Sequence, residues 1–168
     1  MSITIQEGNL SFIFQCLAIK FDDTSYYRDH FIKIQKGTKS VDILAVDNNI
    51  GYLIEIKDYT HPNTKKLEPL DLIEAIVNKV VSTLSAILPM KNNANNQAEK
   101  DIAKLFANTD EIKVFLHIEL SPPTSKIKQS TWNLPNIQMK LKNRLKPIDA
   151  HPKVVSKKYP DRLSWTVI

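Results

Sequence analysis

Asp42, Glu55 and Lys57 are the residues whose types and spacing could do chemistry. Asp42 lies in the apolar run Val41-Asp42-Ile43-Leu44-Ala45-Val46, and the other two lie in Tyr52-Leu53-Ile54-Glu55-Ile56-Lys57. Side chains alternate along a strand, so Leu53, Glu55 and Lys57 share one face while Ile54 and Ile56 take the other. The runs flank Asp47-Asn48-Asn49-Ile50-Gly51, whose Asn/Gly content predicts a β-hairpin. A two-residue loop at Asn48-Asn49 puts Asp42 directly opposite Glu55. A four-residue loop, Asn48 to Gly51, puts it opposite Lys57 with Glu55 diagonal. Either loop keeps all three on one face, which a bulge or a three-residue loop would not. Like charges facing each other on a sheet repel, and a hard divalent cation offsets that: Mg²⁺ takes one or two carboxylates and fills its other positions with water and phosphate. Such an ion polarises a phosphoryl oxygen, while a nearby lysine orients the attacking water and stabilises the charge that develops. The alternative is a cross-strand salt bridge between Asp42 and Lys57 with Glu55 exposed. The nearly unbroken apolar run around Glu55 speaks against it, because a strand covered on both sides rarely carries three charges without a role.

The elements that must position these residues are read from periodicity. Leu10, Phe14, Leu17 and Phe21 recur at helical spacing, which predicts a first helix over Glu7 to Phe21, ended by Asp22-Asp23-Thr24-Ser25. Tyr26 to Gln35, rich in aromatic and β-branched residues, predicts a strand. After the hairpin, Pro69 suits the first turn of a long helix through Leu72, Ile76, Val80 and Leu84, which Pro89 stops. A short helix near Gln97 to Ala107, a strand Ile112 to Leu120 buried on both faces, a helix Pro135 to Leu145 and a last strand Trp165 to Ile168 complete the order. The mixed α/β pattern reads as a single domain over residues 1–168, with a core at about 7–120 and a basic C-terminal extension at about 121–168.

Composition narrows the function classes. The chain has 168 residues with 23 basic and 18 acidic side chains, and its charge is uneven. Residues 1–120 carry 13 Lys+Arg and 16 Asp+Glu, a net of −3, against 10 and 2, a net of +8, in residues 121–168. Clustered cations attract polyanions, so Lys126, Lys128, Lys140, Lys142, Arg144 and Lys146 form a candidate phosphate-tracking surface without sequence readout. One cysteine, Cys16, permits no internal disulfide, which makes a reducing cytoplasm the default. Leu70 to Leu88 is broken by Asp71, Glu74, Asn78 and Lys79, too polar for a membrane role, and no targeting segment stands out at the N-terminus. Three glycines build no phosphate-binding loop, and four histidines lack zinc spacing. His117 and Glu119 share a strand face and read as a structural contact, as does Asp58 at its strand end. Tyr26, Tyr27, Trp132 and Trp165 read as packing before base stacking.

Asp42, twelve residues, then Glu55-Ile56-Lys57, within a helix, strand, strand, strand, helix, strand order, resembles the PD-(D/E)xK nuclease superfamily over roughly Glu7 to Leu120. The resemblance implies a restriction-endonuclease-like α/β fold, a central mixed sheet flanked by helices with an αβββαβ core. It further implies Asp42 and Glu55 as ligands of Mg²⁺ (or Mn²⁺) and Lys57 as the catalytic lysine. Many members add an acidic residue from the first helix, for which Glu7 is the candidate. Val41 stands where the naming proline would, and the helix after Lys57 offers Asn78 and Lys79 but no glutamine–tyrosine element. The expected activity is a Mg²⁺-dependent endonuclease acting on DNA, compatible with a homodimer that cuts both strands. The competing expectation is a catalytically silent nucleic-acid-binding or assembly subunit with the same fold. A carboxylate-pair glycosidase would have no use for the lysine.

Overall fold

The computed structural model describes residues 2–61, 63–121, 132–161 and 163–168. Among them the chain forms two β-sheets and four α-helices, a mixed α/β arrangement. The segment expected to be a helix over Glu7 to Phe21 is instead extended. Strand β1 (Ile3–Glu7) turns through Gly8 and Asn9 into β2 (Leu10–Phe14), and β3 (Leu17–Lys20) follows. Leu10, Phe12 and Phe14 are buried while Ser11 and Ile13 are half-buried, a two-residue period that apolar spacings of four satisfy equally well. Gly8 supplies a φ of +57° at the turn, and Leu17, a member of the expected helical stripe, is 38% exposed.

The stretch expected to be a strand, Tyr26 to Gln35, holds helix α1 (Ser25–Asp29) and a 3-10 turn over Phe31–Lys33. The reason is remote. Thr24 accepts the Tyr27 N–H, and the buried carboxylate of Glu99 accepts the N–H groups of Ser25 and Tyr26 at 2.8 and 3.1 Å. A cap supplied from 74 residues away overrides the local β preference.

Strands β4 (Ile43–Asp47) and β5 (Ile50–Asp58) form the expected hairpin. Asn48 and Asn49 both have positive φ, 46° and 66°, as a two-residue loop matched to strand twist requires. Helices α2 (Pro69–Asn93) and α3 (Gln97–Ala107) then carry the chain to β6 (Glu111–Glu119), parallel to β5 and buried from Val114 to Ile118. Pro89 does not stop α2, which runs one turn further because Met90 docks in the core beside Ala86 and Ile87. By length and composition α2 could cross a membrane, yet it carries core residues here and an ion-paired lysine described below.

Helix α4 (Leu134–Leu145) buries Ile137, Leu141 and Leu145. Strand β7 (Lys153–Val155) completes a five-stranded sheet of order β3-β4-β5-β6-β7, and β8 (Trp165–Val167) joins β2 in a three-stranded sheet. The C-terminal third is thus woven into both sheets. One face of the larger sheet, with Leu44, Leu53, Val114 and Leu116, packs on α2, α3 and α4. The other, with Ile43, Ile54 and Ile56, packs on Phe12, Phe14 and Trp165 of the smaller sheet. Each fully buried Phe contributes about 2–3 kcal/mol by its transfer from water.

Gly51 shows how closely α3 approaches β5. A Cβ there would lie 2.6 Å from the Phe106 ring, itself buried. Gly51→Ala is therefore expected to lower the unfolding free energy by about 1–2 kcal/mol, seen as a reduced urea midpoint at unchanged slope. Wild-type stability in this variant would mean the ring yields freely.

Candidate active site

The site lies where β4 begins and β5 ends. The register pairs Ile43 with Ile54 and Leu44 with Leu53, so Asp42, one residue before β4, faces Glu55 across the ladder, as the two-residue loop requires. Glu55 shares its face with Leu53 and is 1% exposed; Asp42 is 7% exposed. Both therefore sit under α2, in the layer that elsewhere is apolar.

Asp42 is held from three directions. Its Oδ2 accepts the Ile56 N–H at 2.6 Å, beyond the last β4–β5 pair. Its own carbonyl accepts the Phe21 N–H at 2.8 Å. Just before it, the Val41 N–H donates at 2.9 Å to Thr83 Oγ1, and that buried hydroxyl donates at 2.8 Å to the carbonyl of Lys79. This hydroxyl braces α2 against the chain entering the site.

Two ammonium groups face the two carboxylates. Lys57 Nζ lies 2.6 Å from Glu55 Oε1. Lys79 Nζ lies 2.7 and 2.9 Å from the two Glu55 oxygens and 3.4 Å from Asp42 Oδ1. Burial pushes the Asp42 carboxyl up to about 7, the Glu55 charge adds to this, and Lys79 opposes it. For Lys79, burial disfavours the ammonium, but Glu55 and Asp42 outweigh it and raise its pKa. Lys79 had no assigned role in the sequence. Its signal was a lone cation between Ile76 and Val80, on the helix stripe that is buried.

Glu7 arrives by a different route from the one expected. It ends β1 and does not start a helix, because the chain around it is a hairpin. Its carboxylate lies 2.9 Å from Lys20 Nζ, and it lines a cleft of about 210 Å³ with Asp42, Lys57, Asp58, His61 and Thr64. Asp22 is a neighbour that sequence reasoning passed over. Burial first, then the nearby Asp42 charge, raises its carboxyl to about 6, and its Oδ1 accepts no hydrogen bond among the described residues. Asp58 caps the following turn by accepting the Thr60 N–H at 3.0 Å.

Other candidates lie elsewhere. His117 Nε2 and Glu119 Oε1 are 2.8 Å apart, with the His117 ring edge-on to Phe12 on the opposite side of the sheet from Glu55; burial lowers the imidazole pKa. Tyr26, Tyr27 and Trp165 are buried, and Trp132 packs edge-on to Tyr59 with Lys66 Nζ 4.8 Å from its ring. On α4, Lys142 is exposed, Lys140 is half-buried and Arg144 is paired with Glu74 of α2, while Lys146, just past the helix end, is exposed. Lys126 and Lys128 lie outside the described residues.

Among the described residues no three His, Cys, Asp or Glu side chains converge as a metal site. Asp42 and Glu55 alone supply a pair of hard oxygen donors, which fits an ion that completes its shell with water and phosphate.

No protein-family model and no solved structure matches the chain. It is similar to the cysteine–tRNA ligase of Neisseria meningitidis serogroup A / serotype 4A, with 35% identity over 116 residues, or 66% of this chain. The shared stretch spans 16% of that ligase.

Proposed function

We propose that the chain is a metal-dependent nuclease with a restriction-endonuclease-like core, formed by β3, β4, β5, the α2–α3 crossover and β6. The observation that carries this reading is the buried Asp42–Glu55 pair with Lys57 two residues along the same strand face, beside a cleft. Asp42 and Glu55 hold Mg²⁺ or Mn²⁺, which when bound polarises a phosphoryl oxygen and lowers the pKa of a coordinated water. The Ile56 N–H and the Thr83 brace fix Asp42 and the chain leading into it before substrate arrives. Lys57, already ion-paired to Glu55, directs its ammonium to the attacking water and to the charge growing on phosphorus oxygens. Exposed Lys142 and Lys146 track the phosphate backbone, and the assignment of DNA as substrate, a cytoplasmic setting and a homodimer belong to the same proposal. RNA enters the substrate panel because the chain shares a stretch with a protein named as a tRNA ligase.

A silent nucleic-acid-binding or assembly subunit is the second reading. It is favoured by the charge balance, since two lysines already neutralise the two carboxylates. The deciding assay incubates wild type and Lys57→Ala with Mn²⁺ or Mg²⁺ and plasmid DNA, oligonucleotides or tRNA. Cleavage by wild type, reduced at least about a hundredfold in Lys57→Ala with metal binding retained, is the expected result. Tight nucleic-acid binding with no cleavage under any metal would leave only the second reading.

A further inference from the structure

We propose that Lys79 is an exchangeable counter-ion of the Asp42–Glu55 pair, holding the carboxylates together until a divalent cation displaces its ammonium. The inference rests on the nuclease reading and adds how occupancy of that site is controlled.

The geometry carries it. Lys79 Nζ lies against three carboxylate oxygens, both of Glu55 and Oδ1 of Asp42, and thus fills the space between the two side chains. A cation attracted by both carboxylates is drawn to that same space. An ammonium and a divalent ion in one largely buried space repel each other strongly, so the two do not share it. Lys57 is placed differently: it touches only Glu55 Oε1 and lines the open cleft. Lys79 comes from α2, whose backbone at that turn is fixed by Thr83, so its four-carbon stem must make the movement.

This arrangement also answers the problem that two buried carboxylates pose in a folded protein without metal. Lys79 is itself largely buried, with 14% of its side chain exposed, and no other described cation reaches both Asp42 and Glu55. A fixed tether would make the site permanently neutral. An exchangeable one keeps the pair folded and lets cation concentration decide its state.

The test measures Mn²⁺ binding by calorimetry, without nucleic acid, for wild type and Lys79→Met, and acetylation of Lys79 in wild type by mass spectrometry with and without Mn²⁺. Lys79→Met is expected to bind Mn²⁺ at least tenfold more tightly, and saturating Mn²⁺ is expected to raise labelling of Lys79 severalfold. Normal Mn²⁺ binding by wild type with equal or weaker binding by Lys79→Met overturns this inference and leaves the nuclease reading standing. No Mn²⁺ binding by either protein overturns both. Should Lys79→Met fail to fold, the labelling decides: Lys79 equally protected with and without bound Mn²⁺ refutes exchange.

Discussion

Glu55→Gln is expected to lower metal-dependent cleavage by about a thousandfold or more, some 4 kcal/mol in the barrier, and to lower the unfolding free energy by about 3 kcal/mol. The two effects have different origins. Cleavage falls because the neutral amide is a poor ligand for a hard cation and leaves Asp42 as the one carboxylate of the buried pair. Stability falls because Lys79 and Lys57 are left with at most a neutral amide oxygen instead of the carboxylate that balances them, in a place where Glu55 is 1% exposed. The cost sits at the lower end of values for a broken buried pair, since Lys79 keeps Asp42 within 3.4 Å. A double variant separates the origins: Glu55→Gln with Lys79→Met should regain most of the stability and none of the cleavage. Kinetics on a cleaved oligonucleotide and urea unfolding of all three variants read both arms. Full cleavage by Glu55→Gln would remove Glu55 from the metal site.

How much of this was legible in the chain depends on the range of the forces that set each element. The β4–β5 hairpin is local: two asparagines that tolerate positive φ fix the loop, and the loop fixes Asp42 against Glu55. Helix α3 is equally local, with Asn96 accepting the first N–H groups and apolar residues at helical spacing. The N-terminal hairpin was not legible, because Leu10 and Phe14 satisfy the helical and the strand period at once, and the pairing of β2 with β1 and β8 decides between them. Helix α1 was hidden for a similar reason, its first turn being capped by Glu99 from a distant helix. In the site, Lys79 escaped because a lysine within a long helix usually lies on its solvated face; the depth at which this one sits is set by tertiary packing of α2 on the sheet.

Metal-free protein is expected to lose stability on account of Asp42 as pH rises from about 4 to about 7. The sign follows from the raised carboxyl pKa, which burial and the Glu55 charge move from 3.8 to about 7. Between those values the folded chain holds a proton that the unfolded chain has released, so the folded state binds more protons and each increment in pH favours unfolding. The contribution is fully present below the lower value and gone above the higher, at most about 4 kcal/mol for a group this deeply buried. Asp22, raised by burial to about 6, adds in the same direction. Asp42→Asn keeps an oxygen for the Ile56 N–H and removes the titration, so the difference in urea midpoint between wild type and this variant should change steadily in favour of the variant across that range. Parallel curves would mean that Lys79 keeps Asp42 ionised throughout. The protonation that stabilises the fold also withdraws a ligand charge, so Mn²⁺ affinity should rise over the same interval in which metal-free stability falls. In Asp42→Asn the rise in affinity that comes from this carboxyl should vanish, and the stability slope should shrink to the part that Asp22 contributes.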